Sequence, residues 1–319
     1  NLGINYSDDY NAALLVNFTN RNLVFKNSRL SVDLALGDMP RGEVSYFVDR
    51  GFIPTLGLKL RSYRFRYSNL QNRIPVNEKI YQDYSLHLFL QSTWRDAYAI
   101  GGGVQLEDIS INQNFERTNT GNNFQKGFIN YYGFLDFDSF DDADFPASGI
   151  QLNMRYRIIA ERQGLEAFKE PSSVLDIHFK QAVGIGNRWA MIFQMYGATT
   201  IGPSLDEPYR IYLGSMGTDY INYIQPFIGH RFMELNGSNT LTVRADFRYE
   251  VYKNHFLKFK ANYGRIEESF ESLFNSDILL DGYSLGYSYR SIIGPMELNV
   301  AGSTNHPDIY AYVRLGYWF

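Results

Sequence analysis

Strict alternation in the last eleven residues constrains this chain more than any other feature of its sequence. In residues 309–319, positions 309, 311, 313, 315 and 317 share one face of an extended strand and are all apolar or aromatic. The opposite face is mixed and includes Arg314 and Gly316. About eleven alternating residues fit a tilted β-strand that crosses a membrane with one face in lipid and the other in a polar lumen. The segment therefore predicts a transmembrane β-barrel.

The chain ends on an aromatic residue, Phe319, with Tyr317 two positions earlier. This ending resembles the terminal strand of bacterial outer-membrane barrels. The resemblance implies that Tyr317 and Phe319 form an assembly signal and that the barrel assembly machinery is a partner.

The composition agrees with a barrel and argues against other classes. Mean hydropathy is −0.30, and no apolar run approaches the roughly 18 residues of a membrane helix. Aromatic residues nonetheless make up 16% of the chain, which suits the two membrane interfaces. A net charge of −4 argues against a nucleic-acid partner, and the lack of cysteine excludes a disulfide framework. The sequence opens without a basic, apolar signal region, so we expect that a precursor's targeting segment was removed or not included.

The segment 241–251 fixes which face is polar, because Arg244, Asp246, Arg248 and Glu250 all lie on one side of it. A slip of one residue would turn these charges toward lipid, at roughly 2–4 kcal/mol for each arginine near the midplane. We therefore predict that they face the lumen, as do Arg155 and Arg157. A soluble sandwich is less consistent, because its outer face would be polar, whereas here the apolar face is aromatic-rich on strand after strand.

Lumen charges could select ions in an open path, but cross-lumen pairing in a filled interior is favoured.

The same pattern predicts about sixteen antiparallel strands in one barrel domain, residues 1–319. The predicted strands are 1–7, 11–20, 28–37, 41–49, 55–67, 79–93, 97–107, 125–137, 149–161, 173–185, 188–200, 240–252, 255–266, 279–290, 295–303 and 309–319. Connections after even-numbered strands are mostly short, and several after odd-numbered strands are long, which is the pattern of periplasmic turns and extracellular loops. An even strand number places both termini in the periplasm.

Two local irregularities are predicted. On the fifth strand, leucines at 56, 58 and 60 give way to aromatic residues at 63, 65 and 67, and a β-bulge near Arg61 would explain the change of phase. The first strand is short and contains Gly3. We therefore expect its junction with the last strand to be the weakest point of the barrel.

Two segments resemble the bacterial surface antigen family, whose members include outer-membrane assembly proteins and two-partner secretion transporters. The turn at 141–149, with Asp144, Phe145, Pro146 and Gly149, is similar to the family's D-x-x-x-F-P-x-x-G periplasmic turn. The long loop at about 201–239 lies between the eleventh and twelfth predicted strands, where the family folds a loop into the lumen. The resemblance implies that the tip of this loop is formed by Gly229, His230, Arg231 and Phe232.

The sequence departs from the family at both sides of this loop contact. The family tip reads V-R-G-[FY], whereas the arginine here is displaced to Arg231. The family motif F-x-D-x-G on the thirteenth strand appears here as Lys260-Ala-Asn262-Tyr-Gly264. Asn262 lacks the carboxylate that would pair with an arginine, so a locked loop of the usual kind is not expected, which argues against an active insertase or secretion pore. A weaker hydrogen bond between Arg231 and Asn262, on the loop-contact strand with Gly264, is left open.

The segments 12–22 and 29–37 are most similar to barrels fused behind patatin-like phospholipase domains. This resemblance implies an autotransporter-like membrane anchor, integral to the bacterial outer membrane, that helps to translocate a fused N-terminal passenger. The barrel itself is expected not to be an enzyme, because it lacks the G-x-S-x-G motif of such lipases. The alternatives are an insertase or polypeptide secretion transporter and a passive diffusion porin. Outer-membrane lipids and lipopolysaccharide are expected partners, and pairing as a homodimer is left open.

No cofactor or metal is predicted. The five histidines are widely spaced and show no nucleophile pattern, so ordinary structural roles are expected for all of them. Aspartates between 136 and 144 offer oxygen ligands that calcium prefers. They match no calcium-binding loop, however, and aspartate-rich turns are common for conformational reasons. The segment Gly101–Gly103 lies within a strand pattern, which indicates close packing more than a phosphate site.

Overall fold

The protein, described here by a computed structural model, is a closed barrel of sixteen antiparallel strands. The structure describes residues 2–7, 11–71, 74–95, 97–114, 124–161, 170–217 and 224–316. The barrel strands are β1 (Leu2–Ser7), β2 (Asn11–Arg21), β3 (Ser28–Gly37), β4 (Arg41–Val48), β5 (Thr55–Gln71), β6 (Ile74–Trp94), β7 (Tyr98–Asn114), β8 (Phe124–Asp138), β9 (Ser148–Glu161), β10 (Ser172–Ile185), β11 (Trp189–Ile201), β15 (Asn239–Tyr252), β16 (His255–Glu267), β17 (Leu280–Ser291), β18 (Gly294–Ser303) and β19 (His306–Leu315). The predicted strand number and fold class are confirmed.

The remaining elements are small. Strands β12 (Ile211–Leu213), β13 (Ile224–Gln225) and β14 (Leu235–Gly237) form a separate sheet in the connection between β11 and β15. A 3₁₀ turn at Glu207–Tyr209 precedes them, and a short helix, α1 (Ser272–Asn275), lies between β16 and β17. Within the described ranges, no helix is both long enough and apolar enough to cross a membrane.

Alternation along each strand separates an apolar outer face from a polar inner face. On β19, Ile309 is 75% exposed whereas Tyr312 is 5% exposed. On β15, Leu241 and Phe247 are exposed on the outside, and Arg248 is buried on the inside. The predicted orientation of these strands is confirmed, because only this register keeps the charges out of lipid.

The predicted bulge near Arg61 is wrong. Pairing of β5 with β6 runs without interruption from Thr55 to Asn69, and the one recorded shift lies between Asn69 and Leu70. The even-numbered leucines face outward, and Tyr63, Phe65 and Tyr67 continue the inward face, each at 5% exposure or less. The strand keeps its phase, and apolar side chains change face because this part of the lumen is filled with protein. Both strands also extend further than predicted, to Gln71 and back to Ile74.

The barrel has two different rims. The turn rim carries the short connections between β6 and β7, at 186–188, at 253–254 and at 292–293, together with the beginning of β1 and the end of β19. The loop rim carries the long connections, including 202–238 and 268–279. This division agrees with the predicted division into short turns and long loops.

The seam between β1 and β19 is the shortest junction of the barrel among the described residues. Over its whole length β1 pairs with β2, from Leu2 opposite Val16 to Ser7 opposite Asn11. Its described pairing with β19 is the single register pair of Tyr6 and Leu315. Because β1 ends at Ser7, the part of β19 nearer the loop rim extends beyond the described end of β1, although β18 pairs with it there.

Candidate functional site: the lumen loop and the seam

The lumen loop is the connection 202–238, and its described parts, 202–217 and 224–238, occupy the loop-rim half of the barrel interior. Five of its apolar residues are among the most buried of the described residues, each at 1% exposure or less: Tyr209, Ile211, Leu213, Phe227 and Ile228. The ring of Phe232 lies edge-on to that of Phe65 at 5.9 Å, and Tyr212 lies edge-on to Tyr67 at 6.4 Å. Burial of each such side chain stabilises the docked loop by roughly 1.5–3 kcal/mol, so the loop is part of the core.

A buried polar anchor fixes the start of the lumen loop to the barrel wall. The Tyr209 hydroxyl donates to Glu107 Oε2 at 2.6 Å and accepts a hydrogen bond from Asn130 Nδ2 at 3.0 Å. Asn130 also donates to the same Glu107 oxygen at 2.9 Å. Glu107 and Asn130 are nearly fully buried, on β7 and β8. These bonds satisfy a carboxylate that would otherwise be costly to bury.

Ion pairs extend this attachment. Lys79 of β6 pairs with Glu207, and Tyr67 donates to the same carboxylate at 2.9 Å. Lys126 of β8 contacts Asp206 at 2.9 Å. The side chain of Lys79 is 5% exposed, so solvent screens its pair far less than a surface pair. Sequence reasoning predicted the loop but none of these anchor residues.

The tip of the lumen loop is held through its backbone. The Asn262 side chain accepts a hydrogen bond from the Ile228 amide at 2.8 Å and donates to the Ile228 carbonyl at 3.4 Å. In place of the Arg231–Asn262 bond that the sequence left open, Asn262 makes a two-way contact with backbone, which an amide can make and a carboxylate cannot. The Arg231 guanidinium lies 6.0 Å from the Tyr310 ring of β19.

Glycines allow the tip to lie directly against the wall. Gly229 has φ +87°, and a Cβ there would lie 2.7 Å from the Gly302 carbonyl oxygen. A Cβ at Gly282 would lie 1.7 Å from the Ile228 carbonyl oxygen. Gly264, predicted to contact the loop, instead packs against Thr242 of β15, where a Cβ would approach within 2.6 Å.

The turn at 139–147, here called the Phe-Pro turn, folds into the opposite mouth of the barrel. The Phe145 ring is 3% exposed and stacks on Phe256 at 4.8 Å. Arg248 of β15 donates to the carbonyl oxygens of Phe145 and Pro146, both at 3.0 Å. Gly149, the second residue of β9, has φ +108°, and a Cβ there would lie 2.3 Å from the Ser139 carbonyl oxygen. The turn thus narrows this mouth of the lumen.

The aspartates of this turn organise its backbone. Asp141 accepts hydrogen bonds from the amides of Ala147 and Ser148, at 2.8 and 3.1 Å. These bonds hold the pKa of Asp141 below its ordinary value of 3.8, and the bond from Ala147 has the largest effect. Burial raises the pKa of Asp144 instead. These contacts give Asp141 a conformational role in the turn.

Two of the predicted lumen arginines pair with neighbours on the wall and not across the lumen, contrary to expectation. Arg157 contacts Asp176 on the adjacent strand at 3.1 Å, and Arg244 makes two bonds to Asp246 two residues on, at 2.6 and 2.7 Å. Glu250 accepts a hydrogen bond from the Asn254 amide. Side chains that are neighbours on the wall can pair without a contact across the lumen.

Small cavities remain between these closures. One, of about 180 Å³, is lined by basic groups that include Arg155 and Arg157. A second, of about 200 Å³, lies beside Arg244 and Lys260. A third, of about 610 Å³, lies between the loop tip and β19. Tyr317 and Phe319 of the predicted assembly signal lie outside the described residues.

Comparison with known proteins gives one family. The sequence matches the OMP85 superfamily over residues 1–319, and no curated protein matches it. BamA from Haemophilus ducreyi, in a crystal structure lacking POTRA domains 1–3, has a TM-score of 0.75 at 11% identity, covering 99% of this chain and 69% of that chain. CdiB from Acinetobacter baumannii has a TM-score of 0.66 at 14% identity, covering 99% and 59%. CdiB from Escherichia coli has a TM-score of 0.62 at 11% identity, covering 98% and 61%. The present chain thus spans 59–69% of the length of these structures, and the likeness concerns the barrel fold.

Proposed function

The chain belongs to the OMP85 superfamily, which makes it an integral barrel of the bacterial outer membrane, and we propose that it inserts polypeptides into that membrane through the seam between β1 and β19. The observation that carries the proposal is the short seam. Tyr6 and Leu315 form its one described register pair. We further propose that the turn rim, with both termini, faces the periplasm.

Opening a barrel wall is costly because lipid cannot hydrogen-bond the exposed backbone, at several kcal/mol for each unsatisfied group. The cost is lowest where the fewest ladder bonds must break, and among the described residues that place is the seam. The freed edge of β19 would present unpaired amides and carbonyls to which an incoming strand can add by β-augmentation. Pairing in register with β19 would then place alternate residues of the substrate strand toward the lumen and toward the lipid.

Closure of the lumen supports a route through the wall. The lumen loop is anchored at Tyr209 and at Ile228, and the Phe-Pro turn narrows the other mouth. A secretion transporter would need the loop to leave the lumen, whereas an insertase would not. Insertion is therefore favoured over secretion, which remains the alternative within this class.

The test is a reversible cross-link. Tyr6→Cys combined with Leu315→Cys places two thiols on the outer face at register partners, within reach of a disulfide. Reconstituted into liposomes, the oxidised variant should insert a small urea-unfolded outer-membrane barrel at least about tenfold more slowly than the wild type, and reduction should restore the rate. The tenfold figure corresponds to about 1.4 kcal/mol of added barrier.

The matched control joins β1 to its other neighbour. Ile4→Cys with Leu14→Cys also lies on the exposed outer face at register partners, but it leaves the seam free. This control should insert the probe at the wild-type rate in both redox states. An oxidised seam variant that works as well as the control would exclude insertion through the seam.

A second proposal follows from the sequence resemblance to patatin-linked barrels, namely that the barrel anchors a fused phospholipase domain. A lumen occupied by a docked loop is compatible with an anchor that need not conduct. The residues encoded upstream discriminate between the two proposals: a G-x-S-x-G motif and lipid hydrolysis by the full-length protein favour the anchor, whereas periplasmic repeats favour the insertase.

The passive porin is the least supported alternative. Ion pairs at Lys79 and Lys126 and the contact at Asn262 hold the lumen loop in the conducting path. A porin predicts large, stable currents that survive deletion of residues 215–235. A closed barrel predicts currents only after that deletion.

A further inference from the structure

Three potential metal ligands converge between the loop tip and β19. The side chains of His230, Glu234 and His306 bring one ligand atom each within 4.8 Å of one another. His230 and Glu234 belong to the lumen loop, and His306 is the first residue of β19. The site therefore joins two parts of the chain that the sequence separates widely.

The surroundings of His230 point to a ligand. The residue is 5% exposed, and neither of its ring nitrogens makes a hydrogen bond within the described part of the chain. Nδ1 lies 3.7 Å from Glu234 Oε1, which is beyond hydrogen-bond distance. A buried imidazole is normally satisfied at one nitrogen or both, and a metal ion would satisfy this one.

A hydrogen bond orients the Glu234 carboxylate in a way that suits a metal ligand. Its second oxygen, Oε2, accepts a hydrogen bond from the Arg231 backbone amide at 2.6 Å. This bond orients the carboxylate while Oε1 points toward His230. Orienting contacts of this kind are typical of metal ligands.

We propose that His230, Glu234 and His306 form a binding site for a divalent transition metal, with Zn²⁺ as the best-suited ion. Two imidazoles and one carboxylate are a donor set that Zn²⁺ accepts, with bonds of roughly 2.0–2.2 Å. Ligand atoms in a tetrahedral site of that size lie roughly 3.4 Å apart, so the side chains need to draw inward by about an ångström. The rings of His230 and His306 are already in contact, with centroids 5.1 Å apart.

Access to the site is open from one side. His230 lines the cavity of about 610 Å³ between the loop tip and β19. The ion can enter through this cavity, and a water molecule can complete a fourth position there. When bound, the ion would fasten the tip of the lumen loop to the portion of β19 that extends beyond β1.

The experiment is a metal titration of the detergent-purified, metal-stripped barrel, prepared without a polyhistidine tag. The wild type should bind one equivalent of Zn²⁺, and Co²⁺ in its place should give the visible absorption bands of a tetrahedral site. Either His230→Gln or His306→Gln should weaken Zn²⁺ binding on the order of 100-fold or more. Zn²⁺ should also slow hydrogen exchange at residues 228–234 in the wild type.

The matched control is His87→Gln, which replaces a buried lumen histidine that lies beside Ser85 and outside the proposed site. It should bind Zn²⁺ like the wild type. Heat-modified migration on gels checks that each variant retains the folded barrel. The proposal is overturned if the wild type binds no more Zn²⁺ than the His230→Gln/His306→Gln double variant. It is also overturned if the control loses binding to the same extent as the site variants.

Discussion

Removal of one hydroxyl group at Tyr209 tests whether the polar anchor keeps the lumen closed. In Tyr209→Phe the ring still fills its site against Phe128, at 4.8 Å, but the bond donated to Glu107 is lost. A hydrogen bond to a charged partner contributes about 1.5–3 kcal/mol. The ratio of docked to undocked loop should therefore fall roughly 10- to 150-fold. In Tyr209→Ala the ratio of docked to undocked loop should fall further, because emptying an aromatic site costs about 3–5 kcal/mol more.

Single-channel recording in planar bilayers measures this ratio directly, because an undocked loop leaves the lumen open to ions. The fraction of time spent in conducting states should rise in Tyr209→Phe by the factor given above, and it should rise further in Tyr209→Ala. Open-state conductance should be the same in both variants, since the wall of the barrel is unchanged.

The control is Tyr131→Phe, which removes the same atom from the neighbour of Asn130. Tyr131 is 52% exposed on the outer face and makes no contact with the lumen loop in the described part of the chain. Its open fraction should equal that of the wild type. If Tyr209→Phe is as closed as Tyr131→Phe, then the anchor does not hold the loop, and the attachment must rest on the apolar contacts and the ion pairs.

Three further predictions concern the closures at either end. Gly282→Ala should displace the loop tip, because the new Cβ would fall 1.7 Å from the Ile228 carbonyl oxygen; faster hydrogen exchange at residue 228 in a still heat-modifiable barrel is the expected readout. Phe145→Ala should lower the free energy of unfolding by roughly 3–5 kcal/mol, measured by thermal unfolding in detergent. The lowered pKa of Asp141 means that its ionised form stabilises the turn above the pKa of the unfolded chain. That contribution is lost as the pH falls through the lowered value, so the melting temperature should show an acid-side decline that Asp141→Asn lacks.

The barrel wall could be predicted because its determinants are local. A residue's face follows from its parity within a strand, and lipid makes the wrong parity expensive for residues such as Arg244 and Arg248. Connection lengths then order the strands, and an antiparallel barrel with neighbours in sequence leaves little further freedom. The departures occur where this logic lacks information. Aromatic residues on the inner face of β5 look like lipid-facing residues, since the pattern cannot distinguish hydrocarbon from a protein-filled lumen.

The site was less predictable because it consists of contacts between distant segments. Tyr209 meets Glu107, and Glu207 meets Lys79, more than a hundred residues apart. No spacing rule links such pairs, and each member alone resembles an ordinary polar residue. Asn262 illustrates the difficulty, since its type excluded a carboxylate–arginine pair. Only the fold shows that an amide suits the backbone of Ile228.

Strand β19 contacts both the tip of the docked lumen loop and β1, so it connects the loop with the seam. On its inner face, β19 meets the loop tip through Tyr310 and His306, and one edge of the same strand forms the seam with β1. Outward displacement of β19 must therefore break contacts with the tip as well as the ladder bonds of the seam. Coupling between loop undocking and seam opening is reciprocal. The free energy with which the loop tip holds β19 in place therefore equals the amount by which loop undocking would lower the cost of opening the seam. A loop lock in this barrel would therefore act on the seam as well as on the lumen.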